Sequence, residues 1–100
     1  MTTHSTHYSI FKTDYNQLGK TVLVCGGAHD SEQECRIHWQ SYLYGFMDSA
    51  FELLGHDNFC LEQGDRPLSF RFVCMNGQKN VQYFMLLNEE ADQLIKEINY

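Results

Sequence analysis

The chain reads as an α+β protein: an antiparallel sheet of four to five strands packed with one long and one short helix, in the order β(β)-α-β-β-β-α. Three observations predict this. Residues 31–54 carry apolar side chains at helical spacing behind a capping signal. Three β-rich segments then follow between Phe59 and Leu87, separated by turn residues. A second, shorter helical stripe closes the chain. A run of antiparallel strands with helices is expected to carry both helices on one face.

Taken in order, residues 1–7 (Met-Thr-Thr-His-Ser-Thr-His) are polar and are expected as a flexible tail, with one domain over residues 8–100. Tyr8–Lys12 is expected as a short strand and Asp14–Lys20, with Asn16 and Gly19, as a turn. Thr21–Cys25 is rich in β-branched residues and reads as a strand that Gly26-Gly27 breaks.

Ser31 and Glu34 fit a capping box, and Gly55 stands where a long helix would end. At 100° per residue, Cys35, Trp39, Tyr42, Leu43, Phe46, Ala50, Leu53 and Leu54 form one broad apolar stripe, which should pack on the sheet. A second stripe is less usual: Ile37, Tyr44 and Phe51 recur every seven residues on the opposite face, with Met47 beside them. Glu34, His38, Ser41, Asp48 and Glu52 fill the band between the two stripes.

Phe59–Glu62 is expected as a short strand, with a turn over Gln63–Pro67. In Leu68–Met75, Leu68, Phe70, Phe72 and Cys74 face one way and Ser69, Arg71, Val73 and Met75 the other, as in a strand. Asn76-Gly77 signals a hairpin into a third strand, Val81–Leu87. Asn88 is expected to cap the last helix, whose apolar stripe is Leu87, Ala91, Leu94, Ile95 and Ile98.

Composition limits function. The 100 residues are 43% hydrophobic and 20% charged, with a net charge of −6. The charge is local: residues 30–65 hold eight acids against Arg36 alone, a net of −7, and the other five acids and six bases net +1. Such a balance opposes general nucleic-acid binding, which needs clustered cations. No apolar run approaches a membrane span, and the polar start lacks a secretory signal, so a cytoplasmic protein is expected. Cys25, Cys60 and Cys74 sit in apolar contexts, and all four cysteines, with Cys35, are expected as free, buried thiols.

The motifs of common chemistries are incomplete. Cys25 with His29, Cys35 with His38, and His56 with Cys60 are loose pairs without the tight knuckle of a zinc site, so no metal or cofactor is expected. Cys25 lies near the start of the long helix, where a thiol can be activated, but nothing marks an oxyanion hole. Val22-Leu23-Val24-Cys25-Gly26-Gly27 lacks the glycine and lysine spacing of a phosphate loop, and Asp30, Glu32 and Glu34 would oppose a phosphate. The last five elements share their order with a double-stranded-RNA-binding domain. Where those domains place lysines, this chain has Asn88-Glu89-Glu90-Ala91-Asp92, so RNA binding is not expected.

What remains is an acidic, aromatic helix. Aromatics supply binding energy at low entropy cost, and acids steer a basic partner. The leading expectation is a non-enzymatic binding domain, an inhibitor or regulator that docks on a basic surface of a larger protein, nucleic-acid-binding proteins among the candidates, as small phage- or plasmid-encoded inhibitors do. Its binding residues would be Ile37, Tyr44, Met47, Asp48, Phe51 and Glu52. The alternative is a homodimeric structural or ligand-binding domain joined along the Ile37–Tyr44–Phe51 seam, and a third reading is a small cysteine- or metal-dependent protein.

Overall fold

In the strand Lys79–Leu87, apolar side chains enter both faces: Val81, Tyr83 and Met85 point one way, and Phe84 and Leu86 the other. A strand patterned in this manner needs cover on both faces. The computed structural model, which describes residues 5–55, 59–75 and 77–98, supplies it. Its elements are β1 (Thr6–Asp14), a 3₁₀ turn (Tyr15–Gln17), β2 (Lys20–His29), α1 (Glu32–Leu54), β3 (Phe59–Gln63), β4 (Ser69–Cys74), β5 (Lys79–Leu87) and α2 (Asn88–Ile98). The described residues form one antiparallel five-stranded sheet in the order β2-β1-β5-β4-β3.

The α+β class, the helix lengths and the element order agree with the sequence reading. The placement of the helices does not. Cys35, Trp39, Tyr42, Phe46 and Ala50 of α1 pack with Tyr8, Ile10, Phe70, Phe72, Val81 and Met85. Ala91, Leu94, Ile95 and Ile98 of α2 pack instead with Phe11, Phe84 and Leu86. Neighbouring residues of one strand point to opposite faces. The two helices therefore lie on opposite sides of the sheet, and the expectation of one shared face is corrected.

The α1 side is held by rings. Phe46 stacks on Tyr83 with centroids 4.2 Å apart, and Trp39 meets Phe70 at 5.5 Å. Phe59 and Phe72 meet edge to face at 5.1 Å. Such contacts add about 0.5–1.5 kcal/mol each beyond the burial of their area. On the other side α2, with only 11 residues, covers part of the sheet. Beyond it the face is polar. Arg71 donates from Nε to Glu62 at 2.7 Å and from Nη1 to Asp65 at 3.3 Å. The Tyr15 hydroxyl and these carboxylates hold its guanidinium charge more firmly than usual.

Local chemistry explains the element ends. Ser31 Oγ accepts from the Glu34 N–H at 3.2 Å, and the Glu34 carboxylate accepts from the Asp30 N–H at 3.3 Å, so one donor in the first turn of α1 and one ahead of it are satisfied. Asn88 does not act as the expected simple cap. Its side-chain oxygen accepts from the His7 N–H at 3.2 Å, tying α2 to β1. Its φ of 50° lets β5 pass directly into α2, a conformation asparagine tolerates better than most residues. β1 starts at Thr6, so Thr6 and His7 are paired strand residues, with Thr6 opposite His29.

The break expected at Gly26-Gly27 is absent: β2 continues to His29. Gly27 pairs with Tyr8, and a Cβ on Gly27 would stand 2.6 Å from the Tyr8 hydroxyl oxygen. The glycine is there because the tyrosine ring lies over it. Gly27→Ala, normally a gain in a strand, should therefore cost about 1–3 kcal/mol by overpacking, read as a lower urea midpoint. At the β1–β2 turn, Leu18 is fully exposed with φ 60° and is followed by Gly19 at 70°. Leu18→Asn should raise stability by about 1 kcal/mol or less in the same assay, because asparagine enters this region at lower cost.

Candidate functional site

Helix α1 rises about 1.5 Å per residue, so Ile37 to Glu52 spans roughly 22 Å of its surface. Ile37 is 60% exposed and Tyr44 62% exposed, on the side of the helix turned away from the sheet. Asp48 and Glu52 follow Tyr44 at intervals of four and are exposed too. Among the described residues neither carboxylate takes part in an ion pair. Other acids of the same segment are partnered: Glu32 holds Arg36 at 2.8 Å, and Glu62 and Asp65 hold Arg71. Uncompensated negative charge thus lies beside Tyr44.

The outer stripe is not the continuous seam expected from the seven-residue repeat. Phe51 and Met47 are half-buried and pack against the core under α1. The Phe51 ring meets Phe59 at 5.1 Å. The chain returns as β3 beside the last turns of α1 and covers that end. Of the six expected binding residues, Ile37, Tyr44, Asp48 and Glu52 share an open surface, whereas Met47 and Phe51 form its inner border. The core-stripe members Leu53 and Leu54 fall outside the side chains described.

A second constellation, not among the expected site residues, lies where β1, β2 and α1 meet. Tyr8 of β1 stacks on His29 of β2 at 5.4 Å, and His29 meets the ring edge of His38 of α1 at 4.2 Å. The Tyr8 and Tyr42 hydroxyls hydrogen-bond to each other. His29 Nε2 is buried without a hydrogen-bond partner among the described residues. Burial, then the bond to Tyr8, pushes the Tyr42 hydroxyl well above its ordinary pKa. The group joins β1, β2 and α1 as a packed polar junction. No local pattern in the sequence marks it, because its members come from β1, β2 and α1 and lie up to 34 residues apart.

The cysteines depart from expectation. Cys35 is buried, with its thiol 3.7 Å from the Thr6 carbonyl, but Cys25 and Cys60 are exposed and Cys74 is half-buried. All four are free. Cys25 and Cys60 lie on the two outermost strands, where an apolar neighbourhood in sequence does not mean cover. Partial shielding pushes the Cys25 thiol up, away from the thiolate that nucleophilic chemistry requires. Among the described residues no group of three or more His, Cys, Asp or Glu is arranged to hold a metal ion. His56, of the His56–Cys60 pair, lies outside the described residues. A surface cleft of about 710 Å³ near the start of α2 mixes Glu32, Glu89 and Glu90 with Arg36 and Arg66. It offers neither a cysteine nor a histidine. No described helix is long and apolar enough to cross a membrane.

Comparison with protein-family models, curated proteins and solved structures returns no match for this chain.

The Tyr42 geometry gives a pH dependence. A raised pKa in the folded state means the fold holds the phenol proton more tightly than the unfolded chain does. That stability is fully present below the unfolded value of about 10 and is lost as pH rises past it. The urea midpoint should fall from about pH 10 upward, and Tyr42→Phe should flatten the fall. Some slope should persist from Cys25, Cys35 and Tyr83, whose pKa values are also raised, chiefly by burial, and the part due to the thiols should begin lower, from their ordinary value of 9.0. An unaltered slope in the variant would show that Tyr42 does not couple to folding.

Proposed function

We propose that this chain is a non-enzymatic, acidic protein-binding domain, an inhibitor or regulator that docks on a basic surface of a larger protein through the outer face of α1. The observation that supports this reading is the exposure of Ile37 and Tyr44, at 60% and 62%, beside the unpaired Asp48 and Glu52. A lone exposed apolar residue is ordinary. Here an aliphatic and an aromatic side chain stand two helical turns apart on one rigid element, with carboxylates next to the tyrosine. Tyrosine is enriched among residues that dominate interface energy. The carboxylates would act mainly on the rate of encounter and on partner choice. Because α1 is already packed on the sheet, docking orders little new backbone, which keeps the entropic cost low.

The reading separates two kinds of variant. Ile37→Ala with Tyr44→Ala should lower affinity by about tenfold or more per anchor, mostly through faster dissociation. Asp48→Asn with Glu52→Gln should slow association and weaken its dependence on salt. Each pair is compared with the wild type by quantitative capture from a lysate of the source organism at low and raised ionic strength, with circular dichroism confirming the fold. Capture unchanged by the Ile37 and Tyr44 pair would reject the surface, and capture insensitive to salt and to the charge pair would reject the basic partner.

A further inference from the structure

We infer that β2 is a self-complementary edge, along which two copies of this chain pair antiparallel about a two-fold axis passing between Val24 and Cys25. Among the described residues β2 bonds within the sheet only to β1, so its outer side offers a row of backbone donors and acceptors. Edge strands are normally blunted by charge, proline, short length or cover. Over Thr21–Ala28 this ten-residue strand has neither charge nor proline, and Val22, Leu23 and Val24 are 40%, 45% and 41% exposed. The opposite edge, β3, has five residues and carries Glu62, bonded to Arg71. The two edges are therefore protected very differently.

The bulge in β2 selects the partner and the register. Ile10 pairs with Cys25 but Phe11 pairs with Leu23, so Val24 has no counterpart on β1. This extra residue resets the alternation of faces. Val22, Cys25, Gly27 and His29 lie on the α1 side, opposite Lys12, Ile10, Tyr8 and Thr6, while Leu23, Gly26 and Ala28 lie on the α2 side. Directly opposed residues must share a face. In a regular strand, an axis between two residues would set opposite faces against each other. Here the bulge makes that axis the consistent one: Val22 meets Gly27 of the second copy, Leu23 meets Gly26, and Thr21 meets Ala28. Branched side chains face small ones throughout. Each Val22 then lies beside the Tyr8 ring that covers Gly27 in the other copy.

Charge agrees with the same arrangement. Lys20 opens β2 and Asp30 follows its end. Antiparallel pairing sets each Lys20 opposite His29 and next to Asp30 of the other copy, whereas parallel pairing would oppose like charges. The centre contains no charge to desolvate. The contact is a pair of ten-residue strands, which puts it among small interfaces, so the dimer should form with rising concentration rather than be permanent.

The test is light scattering of the full chain from low to high micromolar concentration, together with a short bifunctional maleimide. The expected result is a mass rising toward twice that of the chain and a covalent dimer through Cys25, whose Cα atoms would lie roughly 6 Å apart. The crosslink should vanish in Cys25→Ser and persist in Cys60→Ser. Val22→Lys and, separately, Leu23→Lys should hold the chain at monomer mass, with circular dichroism as the check on folding. If both variants unfold, the position of the crosslink in the wild type still decides. A monomer at every concentration would overturn the inference. So would a Cys25–Cys60 crosslink, which reports head-to-tail pairing of β2 with β3, or a dimer lost on Tyr44→Ala and kept in the lysine variants.

Discussion

The structure depends on one strand that must be covered twice. β5 is the middle of the sheet, and its successive side chains enter two different cores. It also joins two hairpins. β1 and β2 pair on one side of it, β3 and β4 on the other, and α1 lies across both halves. Without β5 neither hairpin has a buried neighbour. An isolated two-stranded unit is marginal in water, so both halves draw their stability from this strand. The placement of the helices follows. One long helix covers the aromatic side, and a short one, starting at the residue directly after the strand, has to fold back over the other.

The unequal size of the helices divides the surface by chemistry. α1 is 23 residues long and touches the sheet with one side only, leaving Ile37 and Tyr44 in solvent. α2 is half that length and leaves β3 and β4 partly bare on its side. There the chain resolves the exposure with polar groups, the Arg71 network and the buried Gln82 and Ser69. Apolar groups left open on α1 and polar groups installed beside α2 are opposite answers to the same geometric shortfall. That contrast gives the outer face of α1 its interest as a docking surface.

Much of this was legible in the residues. The capping box, the glycine after α1 and the alternation in β4 report on local backbone and side-chain period, which are properties of neighbours in sequence. The expectation of both helices on one face is wrong, although Val81-Gln82-Tyr83-Phe84-Met85-Leu86-Leu87 carries the signal of a strand buried on both faces. Strand order is a global property, so Cys25 and Cys60 were expected inside when their strands are the edges. Phe51 illustrates the same limit within the candidate site. Its helical position is shared with Ile37 and Tyr44, but Phe59, eight residues further on, comes back to cover it. The Tyr8, His29, His38 and Tyr42 junction needed contacts across as many as 34 residues, which no local pattern encodes.

The strand at the centre of the sheet is the last of the described strands in sequence. A ribosome delivers the N-terminal hairpin and the long helix well before the residues that complete their core. During that interval the rings of α1 have only a partial platform, and exposed apolar surface of this kind is what chaperones engage and what drives aggregation. Pairing the first strand with the final one also gives the fold a large share of distant contacts, which slows two-state folding relative to helical domains of equal size. Nascent chains of this protein must therefore remain soluble while incomplete, a task for which the acidic stretch from residue 30 onward is well placed because it emerges ahead of β5.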